Sequence, residues 1–385
     1  MDSAFRQVAD CIRAAAADRL PLRIRGGGTK DFYGEPPTGE ILSTAGLQGV
    51  SSYEPSELVV TVRAGTPLVE LEALLAASGQ CLAFEAPRFA AGGTVGGMVA
   101  AGLSGPARAS VGAVRDYVLG ATLVNGRGER LGFGGQVMKN VAGYDVSRLL
   151  AGSMGVLGVI AEVSLKVLPI APAEATLRFE CSQDDALRLL NGWGGQPLPL
   201  NASCWVADGA GGFEPAGSAR DLAPPRGGSA SDGGVLWLRL RGAVAAVSAA
   251  CSHLGGERVD EAVARAFWDQ LRDMRWAFDR SHALCLWRLS VPQTAPVLAA
   301  GTSPLVEWHG GQRWAWAPAD EADSMRTAAQ KVGGHATLFV APPALPREIS
   351  RFDALSPPIR RIHEALAREF DPDGIFDRGR LLEAS

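Results

Sequence analysis

Two hydrophobic periods alternate along this chain. In Leu20-Pro21-Leu22-Arg23-Ile24 every second residue is apolar, which reads as a short half-buried strand. Residues 58–62, Leu-Val-Val-Thr-Val, are mostly β-branched and predict another strand. Between and after these, the period becomes helical. Residues 2–18 have helical character, and Leu68, Leu71, Leu74 and Leu75 recur at the spacing of one helix face. That helix is expected to be capped by Thr66, to carry Pro67 at its first position and to end at Gly79. Residues 117–124 predict a strand, and Asn125-Gly126 turns it into a second one over 129–133. Residues 156–168 are strand-like and close this part of the chain.

Beyond Pro169-Ile170-Ala171-Pro172 the pattern restarts. Strands are predicted near 175–181, 202–206, 234–241, 283–291, 305–308, 313–317 and 336–341, and helices near 183–190, 243–254, 261–278 and 319–331. Leu236-Trp237-Leu238-Arg239-Leu240 and Leu286-Trp287-Arg288-Leu289 look like related strands, so an internal duplication of β-α-β units is expected. An antiparallel sheet with helices on one face would follow. Ser356-Pro357-Pro358 starts a last helix that runs to Phe370, and Asp371-Pro372-Asp373-Gly374 stops it.

Composition supports two domains. All nine tryptophans follow residue 190, all four tyrosines precede 150, and all five histidines lie in the second half. The expected division is 1–170, 171–345, and a tail 346–385 that returns to the first domain. Residues 207–234, rich in Gly, Ala, Ser and Pro, read as a surface loop. Net charge is −4, which gives no electrostatic footprint for nucleic acid. No run of about eighteen apolar residues could span a membrane, and no basic-then-apolar leader opens the chain, so the expected location is cytoplasmic. The six cysteines, at 11, 81, 181, 204, 251 and 285, form no C-x-x-C pair, so no metal site and no iron–sulfur cluster is expected in this chain.

Two glycine-rich loops carry the candidate chemistry. Arg25-Gly26-Gly27-Gly28-Thr29-Lys30 follows the first strand, and its glycines let successive N–H groups converge on one anion. Gly92-Gly93-Thr94-Val95-Gly96-Gly97 leads into a run of small residues that reads as a short helix, whose start suits a diphosphate. Each loop alone equally describes a plain turn or close backbone packing. Neither matches a Walker A loop or a dinucleotide G-x-G-x-x-G unit.

Together with Pro87, the run Gly112-Ala113-Val114-Arg115-Asp116-Tyr117-Val118-Leu119-Gly120, Lys139-Asn140-Val141-Ala142-Gly143-Tyr144-Asp145 and Gly152-Ser153-Met154-Gly155-Val156-Leu157-Gly158-Val159-Ile160, these loops resemble the FAD-binding (PCMH-type) domain of vanillyl-alcohol-oxidase-type flavoproteins. The terminal Asp371-Pro372-Asp373-Gly374-Ile375-Phe376-Asp377 is similar to that family's end motif, which typically has Asn where Asp377 stands. The details are closest to E-type FAD-binding subunits of bacterial glycolate oxidases. The resemblance implies an α+β fold: a two-part FAD-binding domain plus an α+β cap, ferredoxin-like and duplicated. It implies that both glycine loops hold the FAD pyrophosphate by backbone donors. Gly102, Ser104 and Gly105 would approach the flavin or its ribityl chain, and Gly158, Val159 and Ile160 would border the adenine. Tyr144 and Asp145 would order a loop over the cofactor or simply pack, and Arg115-Asp116 reads as an ion pair.

No His precedes residue 200, and Cys11 and Cys81 lie outside the matching loops, so FAD is expected to be non-covalent. The cap also lacks the family's H-x-x-G-x-G-N-x-H cluster. Oxidising a 2-hydroxy acid needs a base and a cation for the carboxylate. Arg288, His309 and Arg313 are the candidates, each with a purely structural alternative, and the catalytic residues stay unassigned. Trp308, Trp314 and Trp316 are expected in the core or at a subunit contact. The resemblance implies a subunit of a glycolate (2-hydroxyacid) oxidase or dehydrogenase. It would work with a homologous flavoprotein subunit that oxidises the 2-hydroxy acid and with an iron–sulfur subunit, in a complex that touches the membrane only peripherally. A self-sufficient dehydrogenase and a scaffold that keeps the FAD fold without the cofactor are the alternatives.

Overall fold

The computed structural model describes residues 3–135, 145–208, 233–277, 284–342, 345 and 349–381. Internal contacts divide the chain into two units, Met1–Ser104 with Ala113–Ile170 and Ala354–Ser385, and Gly105–Gly112 with Ala171–Asp353. The division differs from the sequence expectation in two places. Residues 105–112 go with the second unit although they lie inside the first in sequence, and so do 349–353, from the expected tail.

In the first unit, helix α1 (Ser3–Asp18) buries Phe5, Val8, Ala9, Ile12 and Ala15, the single apolar face that its spacing predicts. Strands β1 (Leu22–Arg25) and β2 (Glu40–Ser43) pair in parallel. A five-stranded antiparallel sheet follows in the order β3-β4-β8-β6-β7, built from Val50–Glu54, Val59–Arg63, Val159–Lys166, Val118–Val124 and Arg130–Gly134. Short β5 (Gln80–Cys81) and β9 (Leu168–Pro169) pair separately. Helix α2 is Leu68–Ala77, but Thr66 does not cap it. The Thr66 hydroxyl instead accepts from Gly49 N at 2.9 Å, which ties the turn after β2 to the start of the helix. Helix α3 (Val95–Ala101) is capped by the Thr94 side chain. The chain end closes this unit. Leu22 N donates to Ile375 O at 2.6 Å, and Ile375 and Phe376 join Phe5, Ile12, Leu22, Val124 and Val159 in one core. The Asp377 carboxylate, at the position where the family has Asn, accepts from Thr38 N (2.6 Å) and the Thr38 hydroxyl (2.9 Å).

The second unit is an eight-stranded antiparallel sheet in the order β13-β10-β12-β11-β15-β16-β14-β17. Its first half runs β10 (Ala173–Glu180), α4 (Gln183–Gly194), β11 (Leu200–Ala207), β12 (Gly234–Gly242), α5 (Val244–Leu254) and β13 (Glu257–Arg258). That is the β-α-β-β-α-β order of a ferredoxin-like unit. After α6 (Glu261–Arg272), the second half repeats it with β14 (Cys285–Ser290), β15 (Thr302–Glu307), β16 (Gln312–Ala317), α7 (Ala322–Lys331) and β17 (His335–Val340). The two halves meet where β11 pairs with β15. Residues 291–301, where the repeat calls for a helix, form none.

Two expectations change here. Leu236–Leu240 lies on β12 and Leu286–Leu289 on β14, which hold different places in the repeat, so their likeness is not the duplication itself. Nor are the helices confined to one face. Helices α4 and α5 cover Leu177, Leu236, Leu238 and Leu240. Helix α6 covers the opposite face: Phe267 stacks on Trp237 with centroids 4.1 Å apart, and Trp268 Nε1 donates to Thr176 Oγ1.

Candidate functional site

The site grows from the turn after β1. Asp31 N turns back to Gly28 O and Tyr33 N to Lys30 O. The five N–H groups from Gly26 to Lys30 find no acceptor among the described residues. Successive N–H groups left free in a glycine turn form a concave positive patch that suits an anion. Gly28 makes the turn possible at φ +71°.

The second loop supports the first by close approach. A Cβ on Gly26 would lie 2.3 Å from Thr94 Oγ1, and one on Gly27 only 1.6 Å from Gly92 O. The second loop offers donors in its first half, where the N–H groups of Gly92, Gly93 and Thr94 find no acceptor among the described residues, while its helical half is taken up. Val95 N donates to Thr66 O at 3.0 Å, Gly96 N to Ala64 O at 2.7 Å and Gly97 N to Thr94 Oγ1 at 3.2 Å. The second loop is also a platform: its small residues let the first loop come down upon it.

The turn opens on a cleft with about 750 Å³ of empty space, lined by residues 24–31 with Tyr33, Thr44, Ala64, Met154, Gly155, Gly158, Ile160 and Arg380. One wall is the face of α3 carrying Thr94, Gly96, Gly97, Ala100 and Ala101. Three cations line it. Arg25 is paired with Asp31 at 2.9 Å. Among the described residues, Lys30 has only a 3.4 Å contact from Nζ to Thr29 Oγ1 and the Phe89 ring 5.7 Å away, and burial lowers its pKa to about 8. Arg380 reaches in from the chain end. Neither His nor Cys lines the cleft.

Of the predicted cofactor residues, Arg25 to Lys30, Thr94, Gly96, Gly97, Gly158 and Ile160 line this cleft. The others do not. Val95 and Val159 are buried in the core, as is Pro87 within its loop. Gly92 meets Gly27, and Gly93 O accepts from Leu68 N. Gly102, at φ +62°, caps α3 against Gly152. The Ser104 hydroxyl accepts from Val114 N, and Gly105 O accepts from Trp308 Nε1 within the second unit. Ile24, Asp31, Tyr33, Thr44, Ala64, Ala100, Ala101, Met154, Gly155 and Arg380 also line the cleft and were not among the predicted site residues. Ala100 and Ala101 had a signal, four residues along the helix from Gly96 and Gly97, and Met154 and Gly155 stand within the 152–160 motif.

Residues Lys139 to Tyr144 lie outside the described residues. Asp145 caps the next helical turn, accepting from Arg148 N at 3.3 Å. Asp116 accepts from Ala113 N at 2.8 Å, and no ion pair joins it to Arg115 among the described residues.

In the second unit, Arg313 donates to the carbonyls of Gly310, Ala295 and Pro296, holding the segment that replaces a helix. The Arg288 guanidinium lies 5.5 Å from the Phe339 ring centroid. His309 sits in a left-handed turn at φ +56°, with Nε2 3.1 Å from Ser110 Oγ. Burial lowers its pKa to about 4, so it is neutral at ordinary pH. Trp308 and Trp314 are buried, and Trp316 is half-buried. No group of His, Cys, Asp and Glu suited to a metal occurs among the described residues.

Free N–H groups beside Lys30, in a cleft walled by the small residues of α3, suit a diphosphate-bearing cofactor. The comparisons agree. An FAD binding domain family matches residues 5–134. The chain is 41% identical over 370 residues to glycolate oxidase subunit GlcE of Escherichia coli, covering 96% of this chain and 95% of that protein. It is 29% identical to glycolate oxidase subunit GlcD of Bacillus subtilis, over 44% of this chain and 37% of that one. It is 33% identical to a D-lactate dehydrogenase of Archaeoglobus fulgidus, over 42% and 37%. A solved alkyldihydroxyacetonephosphate synthase shares the fold, with a TM-score of 0.65 at 15% identity over 96% of this chain and 74% of that one. The chain therefore belongs to the GlcE family of glycolate oxidase subunits, among the FAD-dependent oxidoreductases.

Proposed function

We propose that this chain is the FAD-holding E-type subunit of a glycolate (2-hydroxyacid) oxidase, and that it acts in electron transfer or assembly beside a homologous flavoprotein subunit that oxidises the substrate. The observation that carries the reading is the row of unmet N–H groups from Gly26 to Lys30. They would hold the FAD pyrophosphate, with Lys30 as the counter-charge and α3 as the wall against which the cofactor lies. When bound, FAD supplies the redox chemistry; this chain's residues bind it, orient it and exclude water. Since neither His nor Cys lines the cleft, the cofactor would be held without a covalent link.

Three facts favour placing substrate oxidation in a partner. Arg313 is committed to main-chain carbonyls, His309 is bonded to Ser110, and the H-x-x-G-x-G-N-x-H cluster is absent from the sequence. With no C-x-x-C pair in this chain, an iron–sulfur relay would belong to another subunit. None of the described helices is long and apolar enough to cross a membrane, so any membrane contact of the complex through this chain would be peripheral.

The test is spectroscopic. The purified chain is expected to be yellow, with its flavin released on acid denaturation. Glycolate or D-lactate added anaerobically should leave that flavin oxidised until the partner subunits are supplied. Bleaching by substrate in the isolated chain would instead make it a self-sufficient dehydrogenase. A colourless protein that takes up no added FAD would make it a scaffold.

A further inference from the structure

We propose that Arg380, supplied by the chain end 350 residues beyond the glycine turn, is a cofactor-site residue that binds and shapes the FAD cleft. This inference rests on the FAD reading above. Arg380 lines the cleft described above, and it also lines an adjoining recess open to solvent, shared with Ile24, Arg25, Asp31, Met154 and Gly155. It therefore stands where the two spaces meet.

Its guanidinium grips the segment that leaves the glycine turn. Nη1 donates to Asp31 O at 3.2 Å and to Glu35 O at 2.8 Å, and Nη2 donates to Tyr33 O. Its own carbonyl accepts from Glu35 N at 3.4 Å. The planar fork of an arginine suits several carbonyls held in one arc, which a lysine ammonium does not reproduce. Residues 31–35 directly follow Lys30. Clamping them fixes the direction in which Lys30 and the five free N–H groups face. The tail is itself anchored, through Asp377 to Thr38 and through Leu22 N to Ile375 O. The guanidinium thus reaches the cleft from a rooted position and adds a fixed positive charge for the diphosphate or the group beside it.

The experiment is FAD titration of the full-length apoprotein, followed by flavin fluorescence quenching, for wild type, Arg380→Met, Arg380→Lys and Thr38→Val. The last variant loosens the same tail without touching the cleft lining. Arg380→Met is expected to bind FAD about 10- to 100-fold more weakly, Arg380→Lys to fall between, and Thr38→Val to stay within about twofold. A second readout separates binding from folding. FAD should raise the melting temperature of wild type and Thr38→Val much more than that of Arg380→Met. Wild-type affinity in Arg380→Met overturns the proposal, and so does an equal loss in Thr38→Val. If Arg380→Met fails to fold, unchanged affinity in Arg380→Lys overturns it. Should wild type itself take up no FAD, the failure belongs to the reading of the cleft as an FAD site.

Discussion

At the scale of single residues the site is a contest between burial and charge, and Lys30 shows it best. An exposed lysine titrates near 10.4; here burial brings the value down to about 8. Without cofactor, the folded chain therefore holds this proton less tightly than the unfolded chain. Between the two values the unfolded state binds more protons, so the stability of the apoprotein should rise with pH across that window. FAD reverses the balance. Its diphosphate favours the charged lysine, so binding takes up a proton and should weaken as pH climbs past about 8. FAD titrations between about pH 7 and pH 9 should show this slope in wild type. They should show none in Lys30→Met, which should also bind about 10-fold more weakly at pH 7. A flat wild-type profile would remove Lys30 from the site. Gly27 makes a steric counterpart. Its alanine variant would place a methyl 1.6 Å from Gly92 O, so backbone must move. Gly27→Ala should cost about 1–3 kcal/mol or more in urea unfolding and lose FAD. Gly132→Ala, which meets nothing within 4 Å at an ordinary φ, should shift stability by less than about 0.5 kcal/mol.

At the scale of elements, β15 carries a buried charge that the fold tolerates at a cost. Glu307 is 5% exposed, and its carboxylate accepts from Gln312 Nε2 at 2.7 Å and from Trp314 Nε1 at 3.1 Å. Burial outweighs these bonds and raises its pKa to about 7. The folded state then binds more protons than the unfolded state between the ordinary carboxylate value and about 7, so stability falls as pH rises through that window. Glu307→Gln keeps an acceptor for both donors and has no charge to desolvate. It should stabilise the protein by about 1–3 kcal/mol near pH 8 and by nothing near pH 4, as read from urea midpoints. Destabilisation near pH 8 would mean that the charge itself is needed. The same strands show what the sequence could tell. Apolar, β-branched and aromatic runs located all seven long strands of the second unit, although several, such as β11 and β16, are buried on both faces. They could not tell which face a helix covers: Phe267 and Trp268 announce a buried side on α6 but not that it lies against Trp237 and Thr176. Thr66 was misread as a cap because a hydroxyl takes whichever partner the tertiary fold brings, here Gly49 N. In the site, the glycine turns were legible because only glycine permits the close approach. Ala64 was not, since a small apolar side chain serves a core equally well.

At the scale of the whole molecule, residues 371–380 pack into the first unit, and Arg380 brings them to the lining of the proposed FAD cleft. Ile375 and Phe376 are each 2% exposed, packed among Phe5, Ile12, Leu22 and Val124. Asp371, fully buried, accepts from the N–H groups of both. Loss of a buried Phe alone costs about 3–5 kcal/mol, against a total stability of about 5–15 kcal/mol for a domain. A chain ending at Phe370 should therefore lose the ordered first unit and its FAD together. The second unit draws no strand from the tail. Composition supplies a clean way to see the difference, because all nine tryptophans lie between residues 193 and 316, within the second unit. Tryptophan fluorescence of the truncated chain should keep a cooperative unfolding transition, while flavin absorbance and FAD quenching disappear. A truncated protein that stays yellow would show that the glycine turn and α3 hold the cofactor unaided. Loss of the tryptophan transition as well would show that the second unit folds only on a completed first one.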